Sequence, residues 1–593
     1  MSTPTNRRRD PGGLSAETTL LWVVIILVLV ATAVVYAGVH LGHRIAGTAT
    51  GLPANPFAVL FGLLNGEVTW PEQGTAVAIA LGAVLITVAI FVLTLVARSR
   101  RRRARGDEKA TYMGRGRDVE ALSLKSARST ANRLGAVSSP GLPIGITVST
   151  RQPLLSSWED MRFTIAGPRT GKTTSIVVPE ILAAPGAVFA TSNKRDVVDA
   201  TRDVRADSGP VWVFDPQGIV NEEPTWWWDP LSYVTDEVKA AKLAEHFAAG
   251  SRDPGARADA YFDSAGLDLL AGLLLAAALD ERPITDVYAW LTSPTDEEAV
   301  DILRRHDFTL TAHQVAGVIA APEKQRGGVY GTAQQMASCL TNRAVAAWVT
   351  RQGVRPHFDP AAFVRDGGTL YSLSKEGRGT AGPLVTALTV AVVEAAEELA
   401  ARSPGGRLAT PLVGVLDEAA NVCRWRELPN LYSHYGSRGI VLDTVLQSWS
   451  QGVDVWGESG MKKLWSAANV KVYGGNVSEV AFLEDLSRLI GDYDRQGSTL
   501  STGRGGRGVN YQLHRERILD VAELAALPKG RAVVLGAGSR PTLIRTQPWM
   551  TGPHAQDVRA SITAHDPQAE RTIAAAEQEL DTVEATPTVE DAL

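Results

Sequence analysis

The stretch 163-FTIAGPRTGKTTSIVVPEIL-182 decides how the rest of the chain is read. Phe163 to Ala166 has the composition of a short strand, the next seven residues are rich in glycine and polar groups, and Thr174 to Leu182 is compatible with a helix. That order suits a phosphate-binding loop, in which backbone N–H groups and a helix N-terminus cradle the β-phosphate while a lysine meets the β and γ oxygens. The expected nucleotide-binding residues are therefore Gly167, Pro168, Arg169, Thr170, Gly171, Lys172, Thr173 and Thr174, with ATP as the ligand. Lys172 takes the lysine role and Thr173 offers its hydroxyl to Mg²⁺. The first position of the G-x-x-x-x-G-K-[ST] pattern is Ala166, and the glycine comes one place later as Gly167. The competing reading is a chance Gly-Lys-Thr in a surface turn.

A second motif completes the first. In 412-LVGVLDE-418 an apolar run ends in two carboxylates, as when a buried strand delivers acids to its C-terminal edge. Asp417 is expected to hold Mg²⁺ through water and Glu418 to polarise the attacking water, so the pair implies hydrolysis. Alone, an apolar strand ending in Asp-Glu is unremarkable, because carboxylates commonly mark strand exits.

Working outward, short and continuously apolar runs at 163–166, 187–191, 211–215, 369–373, 412–416, 440–446, 470–473 and 532–535 read as strands buried on both faces. Between residues 236 and 352 the strand signals stop and apolar residues fall at helical spacing. The fold class expected is an α/β P-loop sheet with an inserted all-α domain. The Leu/Ala-rich segment 267–279 is too short for a membrane span and is followed by Asp280, Glu281 and Arg282, so it reads as a buried helix.

Upstream, residues 18–42 contain no Lys, Arg, Asp or Glu, and 74–97 has the same apolar character. Each is long enough to cross the ~30 Å hydrocarbon core as a helix. Basic residues gather at Arg7, Arg8 and Arg9 and at 98–105, while the loop between the runs carries few charges. The positive-inside rule then puts both ends in the cytoplasm, giving a two-pass protein of the cytoplasmic membrane. A cleaved signal peptide is the rival reading of the first run, and a nucleic-acid patch the rival reading of 98–105.

The expected plan is a cytoplasmic tail (1–17), a transmembrane hairpin (18–97), a basic juxtamembrane connector (98–150) and a nucleotide-binding domain in two parts (151–235 and 353–552). The all-α domain (236–352) interrupts it, and an acidic tail expected to be disordered (553–593) follows. The formal net charge of −5 carries no overall basic signature for nucleic acid. Two cysteines, Cys339 and Cys423, exclude a disulfide framework or a cysteine-based metal site.

Around these motifs the sequence resembles the type IV secretion coupling proteins, the conjugative DNA-transfer ATPases of the TraG and TraD group. The resemblance rests on AGPRTGKTTS from Ala166, VFDPQG from Val213 with WWWDPLSYV from Trp226, VLDEAANVCRWRELPNLYSHYGSRGIVLDTVLQSWSQ from Val415, and VAELAALPKGRAVVL from Val521. It implies a RecA-like motor assembled as a homo-hexamer and anchored in the inner membrane. Such a motor recruits single-stranded DNA with its relaxase and relaxosome proteins to the secretion channel components. It also implies that Arg438 is an arginine finger reaching a neighbouring subunit's ATP and that Gln447 senses the γ-phosphate. The bland alternatives are a loop arginine paired with a surface carboxylate and a strand-end glutamine. At 191-TSNK-194 the family often carries Asp-x-Lys, and this chain departs from it.

DNA contacts are less legible. The segment 501–517, with Arg504, Arg507, Tyr511, Arg515 and Arg517, reads either as a channel lining that grips phosphates or as a flexible solvated loop. The three tryptophans at 226–228 are expected to pack where the sheet meets the inserted helices. A septal double-stranded DNA translocase of the FtsK kind and a substrate-docking receptor with ATP-controlled assembly are the two alternative functions.

Overall fold

The computed structural model describes residues 16–48, 51–101, 106–136, 139–251, 259–377, 380–503 and 506–585, and it divides into two compact units. The basic residues at 7–9 and 102–105, Arg504 and the final residues 586–593 lie outside the described residues.

The first unit draws on residues up to 105 and on 492–516. Its helices Ala16–Ile45 and Glu72–Arg101 are 30 residues each. Both contain segments long and apolar enough to cross a membrane, Val24–Ile45 and Glu72–Phe91. Their apolar side chains face outward, as with Leu27 (62% exposed) and Phe91 (62%). The two helices pack together where Gly42 meets Gly74: a Cβ on Gly42 would lie 2.8 Å from the Gly74 Cα. Small residues at such a crossing let helix backbones approach closely. Between them a short helix, Pro56–Leu64, is capped by Asn55, whose side chain accepts from Phe57 N–H at 2.9 Å.

The same unit holds a two-stranded ribbon, which corrects the expectation of a flexible loop over 501–517. Near its base Tyr493 donates to Glu516 at 2.9 Å, Arg495 pairs with Glu516 at 3.2 Å, and Arg515 pairs with Asp492.

The second unit is built on an eleven-stranded sheet. In chain order the strands are β1 (Leu142–Thr147), β2 (Pro153–Ser156), β3 (Arg162–Ile165), β4 (Val188–Ser192), β5 (Val211–Phe214), β6 (Thr369–Leu373), β7 (Leu412–Leu416), β8 (Ile440–Leu446) and β9 (Val470–Tyr473). After the ribbon strands β10 (Asp492–Gly503) and β11 (Gly506–Arg517) come β12 (Arg531–Gly536) and β13 (Thr542–Arg545). The spatial order is β2-β1-β13-β12-β9-β3-β8-β7-β4-β6-β5. Strands β9 to β5 in that order are parallel to their neighbours, and β12, β13, β1 and β2 extend the sheet in antiparallel fashion. Every residue of β3, β4, β6, β7 and β8 is buried, which explains their largely apolar character.

Between β5 and β6 the described chain is helical. Its central helix, Ala260–Leu279, starts at the Asp259 cap and buries nine residues among its neighbours. It too is long and apolar enough to cross a membrane, yet its central leucines, Leu269 to Leu275, are packed away inside this unit. Trp226 joins that layer to β5, within 5.4 Å of the Trp212, Trp348 and Phe358 rings. Trp228 is fully buried.

Two boundaries differ from expectation. The connector drawn as 98–150 is part of the sheet unit from about residue 107: β1 pairs with β13, and Asp107 meets Arg531 through two buried contacts of 2.7 and 2.9 Å. Pro143 and Pro153 mask these strands in sequence, since proline is tolerated only toward a sheet edge. The tail drawn as disordered instead forms the helices Ala555–His565 and Ala569–Ala585. Val558, Ile562 and Ala576 bury against Val178 and Ala200, so a sparse apolar stripe suffices to dock an otherwise acidic segment.

Candidate functional site: the P-loop and its carboxylates

The loop after β3 is shaped by close backbone approach. Gly167 N–H donates to Gly475 O at 3.0 Å, and a Cβ on Gly167 would lie 1.9 Å from Asn476 O, so no larger residue fits. Asn476 holds the loop's other side by donating to Pro168 O at 2.7 Å. Gly171 adopts φ +82°, a left-handed conformation that glycine reaches at little cost. Lys172 follows and leads into a π-turn, Thr173–Val177, that continues as the helix Val178–Ala183.

Because β3, β8 and β7 are parallel neighbours, their C-terminal ends share one edge of the sheet, where α/β folds bind ligands. β8 lies between the other two, so Gln447, just beyond its end, is brought to Glu418. Lys172 Nζ is 3.4 Å from Asp417 Oδ1 and forms a close ion pair with Glu418 Oε1. Gln447 Nε2 donates to the same Glu418 oxygen at 2.7 Å, and Asn421 Nδ2 donates to Oε2 at 3.3 Å. Glu418 sits at φ +56°, ψ 40°, a left-handed conformation costing a non-glycine residue of order 1–3 kcal/mol. Burial and the hydrogen bonds from Gln447 and Asn421 hold it there.

Burial of Asp417 pushes its carboxyl up to about 7, against the pull of Lys172. Burial disfavours the charge on Lys172, but Asp417 and Glu418 outweigh it and its pKa rises. In this arrangement Lys172 stands in for the cation that the two acids await. Asp417 Oδ1 is buried without a well-directed hydrogen bond, its cationic neighbour being Lys172 Nζ at 3.4 Å, and such an acceptor is of the kind a divalent cation satisfies. The residues thus fit Mg²⁺: Thr173 and Asp417 would hold it, and it would neutralise charge on the phosphates. A nucleotide that drew Lys172 to its β and γ oxygens would leave Glu418, still oriented by Gln447 and Asn421, free to accept a proton from water.

Arg438 is not brought to this cluster. It precedes β8 and so stands at the opposite edge, with the seven residues of β8, roughly 23 Å of strand, before Gln447. There it is half-exposed and pairs with Glu397. Sequence reasoning passed over Asn421, although it lies in the quoted Asp-Glu motif, and over Thr191, which donates to Asp417 O at 3.0 Å from the departing Thr-Ser-Asn-Lys segment. It also passed over Lys529 and Glu579, which sit 2.6 Å apart beside the loop.

Residues 411–529, from β7 through the last turn before β12, match the family described as the TraM recognition site of TraD and TraG. Over this stretch the chain resembles the TraG and TraD coupling proteins. Two solved structures of the bacterial conjugative coupling protein TrwBdeltaN70 share the fold. The unbound monoclinic form has a TM-score of 0.50 at 18% identity, covering 68% of this chain and 88% of that one. The trigonal form in complex with sulphate has a TM-score of 0.51 at 18% identity, covering 70% and 92%. A TrwB structure in complex with ADP and Mg²⁺ matches at a TM-score of 0.47, 18% identity, 66% of this chain and 85% of that one. No curated protein sequence matches the chain.

Proposed function

We propose that this protein is a membrane-anchored ATPase that couples ATP hydrolysis to the recruitment and transfer of single-stranded DNA, with bound relaxase, to a type IV secretion or conjugation channel. The observation that carries the reading is the joint capture of Lys172 by Asp417 and Glu418, with Gln447 on Glu418. A lysine, a cation-binding acid, a base and a polar sensor around one phosphate loop are the parts of an NTP-hydrolysing site. Gly167 to Thr174 bind the nucleotide, Thr173 and Asp417 hold Mg²⁺, Lys172 meets the phosphates and Glu418 activates water.

The match over 411–529 supports relaxosome proteins as partners, and the two apolar helices support anchoring in the lipid bilayer with the ATPase unit in the cytoplasm. Arg438, remote from its own chain's Glu418, is free to serve a neighbouring subunit in a homo-hexamer, where a finger is worth roughly 10³ to 10⁵ in rate. The helices of 236–352 form a separate layer suited to cargo contact.

The test is ATP turnover by the full-length protein in lipid nanodiscs. Single-stranded DNA should stimulate turnover, and Lys172→Ala should abolish it. Turnover indifferent to DNA of any form would overturn the motor reading. Stimulation by double-stranded DNA alone would favour a translocase of the FtsK kind.

A further inference from the structure

The helix Ala569–Ala585 does more than close the sheet unit. Ile573, Ala576 and Leu580 pack it against the helix that follows the phosphate loop, and this turns Ala575, Gln578 and Glu579 toward a cavity of about 470 Å³ over the loop. That volume is in the range of small-molecule sites. Glu579 is lodged on the loop itself: a methyl group placed on Gly171 would lie 2.7 Å from its Oε1, and Thr174 Oγ1 is 3.5 Å from its Oε2. Lys529 Nζ, also in the cavity wall, is 2.6 Å from Glu579 Oε1 and neutralises it.

The direction of the cavity says what this carboxylate faces. Lys172 meets the β and γ oxygens, and the hydrolytic groups Asp417, Glu418 and Gln447 mark the γ end. None of those three lines the cavity, which reaches from the loop to Lys529 and the terminal helix and also takes in Lys194 and Asp196. The far end of a nucleotide seated on Lys172, its ribose and base, is what reaches that wall. An ionised carboxylate only accepts hydrogen bonds, and beside a nucleotide's sugar the donors are the ribose hydroxyls. Acidic side chains read ribose hydroxyls in the same way in dinucleotide folds.

We infer that the C-terminal helix is the nucleoside wall of the ATP site, with Glu579, steadied by Lys529, accepting from the ribose 2′-hydroxyl so that the site selects ribonucleotides over 2′-deoxyribonucleotides. The inference rests on the nucleotide reading of Lys172.

Its test is calorimetric titration of the full chain in nanodiscs with ADP and with 2′-deoxy-ADP. The wild type should bind ADP about tenfold or more tightly than 2′-deoxy-ADP, the size of a hydrogen bond to a charged group. Glu579→Ala should lower ADP affinity to the deoxy level and leave 2′-deoxy-ADP affinity unchanged, which also reports an intact fold. Equal affinities in the wild type would overturn the inference, as would Glu579→Ala binding both nucleotides more tightly, the mark of a helix that merely plugs the mouth. Lys172→Ala binding ADP as well as the wild type would instead overturn the nucleotide site, and the wall with it.

Discussion

Beneath the phosphate loop, one guanidinium faces two carboxylates with almost no access to water. The side chains of Arg162, Glu180 and Asp443 are 1%, 0% and 0% exposed. Arg162 Nη2 is 2.7 Å from Glu180 Oε1, and its Nε is 3.6 Å from Asp443 Oδ2. Asp443 also accepts from Thr164 Oγ1 at 3.1 Å, whereas the Arg162 contact to Glu180 is not directed as a hydrogen bond. Burial above all, with the Asp443 charge added and Arg162 opposing, raises the Glu180 carboxyl well above its usual 4.5. A carboxyl whose folded pKa is raised holds a proton that the unfolded chain releases. The contribution of Glu180 to stability is therefore fully present below pH 4.5 and is lost as pH rises toward the folded value.

Glu180→Gln replaces the neutral acid with a near-isostere that does not titrate. One proton is worth about 1.4 kcal/mol per pH unit, so as pH rises above 4.5 the variant should gain on the wild type at up to that rate until the raised folded pKa is passed. Thermal melting of the purified protein across that range should show the difference in Tm, variant minus wild type, climbing by a few degrees. A difference that stays flat or falls with pH would refute the reasoning, because Glu180 would then be ionised throughout. Arg162→Met is the contrasting case: it strands two buried acids and should cost ~3–5 kcal/mol at neutral pH.

Glu418→Gln should retain nucleotide binding while lowering turnover by roughly 10² to 10⁴, read by single-turnover hydrolysis, because it removes the base and keeps the shape. Gly167→Ala should abolish nucleotide binding in the same titration, since its Cβ would sit 1.9 Å from Asn476 O and force the loop open. Trp226→Ala, which empties the aromatic junction between β5 and the helical layer, should destabilise the sheet unit by ~3–5 kcal/mol, visible as a lowered Tm.

The strands that carry the site were legible because they are buried on both faces and so read as mostly apolar runs, broken only by the buried Arg162, Thr164, Asp443 and Thr444. The antiparallel extension was not: β1, β2 and β13 are short and lie toward one edge, and Pro143 and Pro153 contradict a central-strand pattern. The tail was misread because its charged residues dominate the composition, while only Val558, Ile562, Ile573, Ala576 and Leu580 carry its docking. The strand character of 501–517, which admits a channel lining or a flexible loop in sequence, is hidden because glycine and arginine obscure its strand residues.

What the sequence by itself determined is the phosphate loop and its two acids, since residues 167–174 and 412–418 each form one contiguous element whose chemistry depends on local spacing alone. Tertiary structure decided the rest of the site. Strand order inserts β8 between β3 and β7 and so sets Gln447 on Glu418 while leaving Arg438 at the far edge. Docking of the last helix sets Glu579 on Gly171, hundreds of residues apart in the chain. Neither pairing has a local signature, because each depends on how distant apolar faces find one another, which no window of sequence contains.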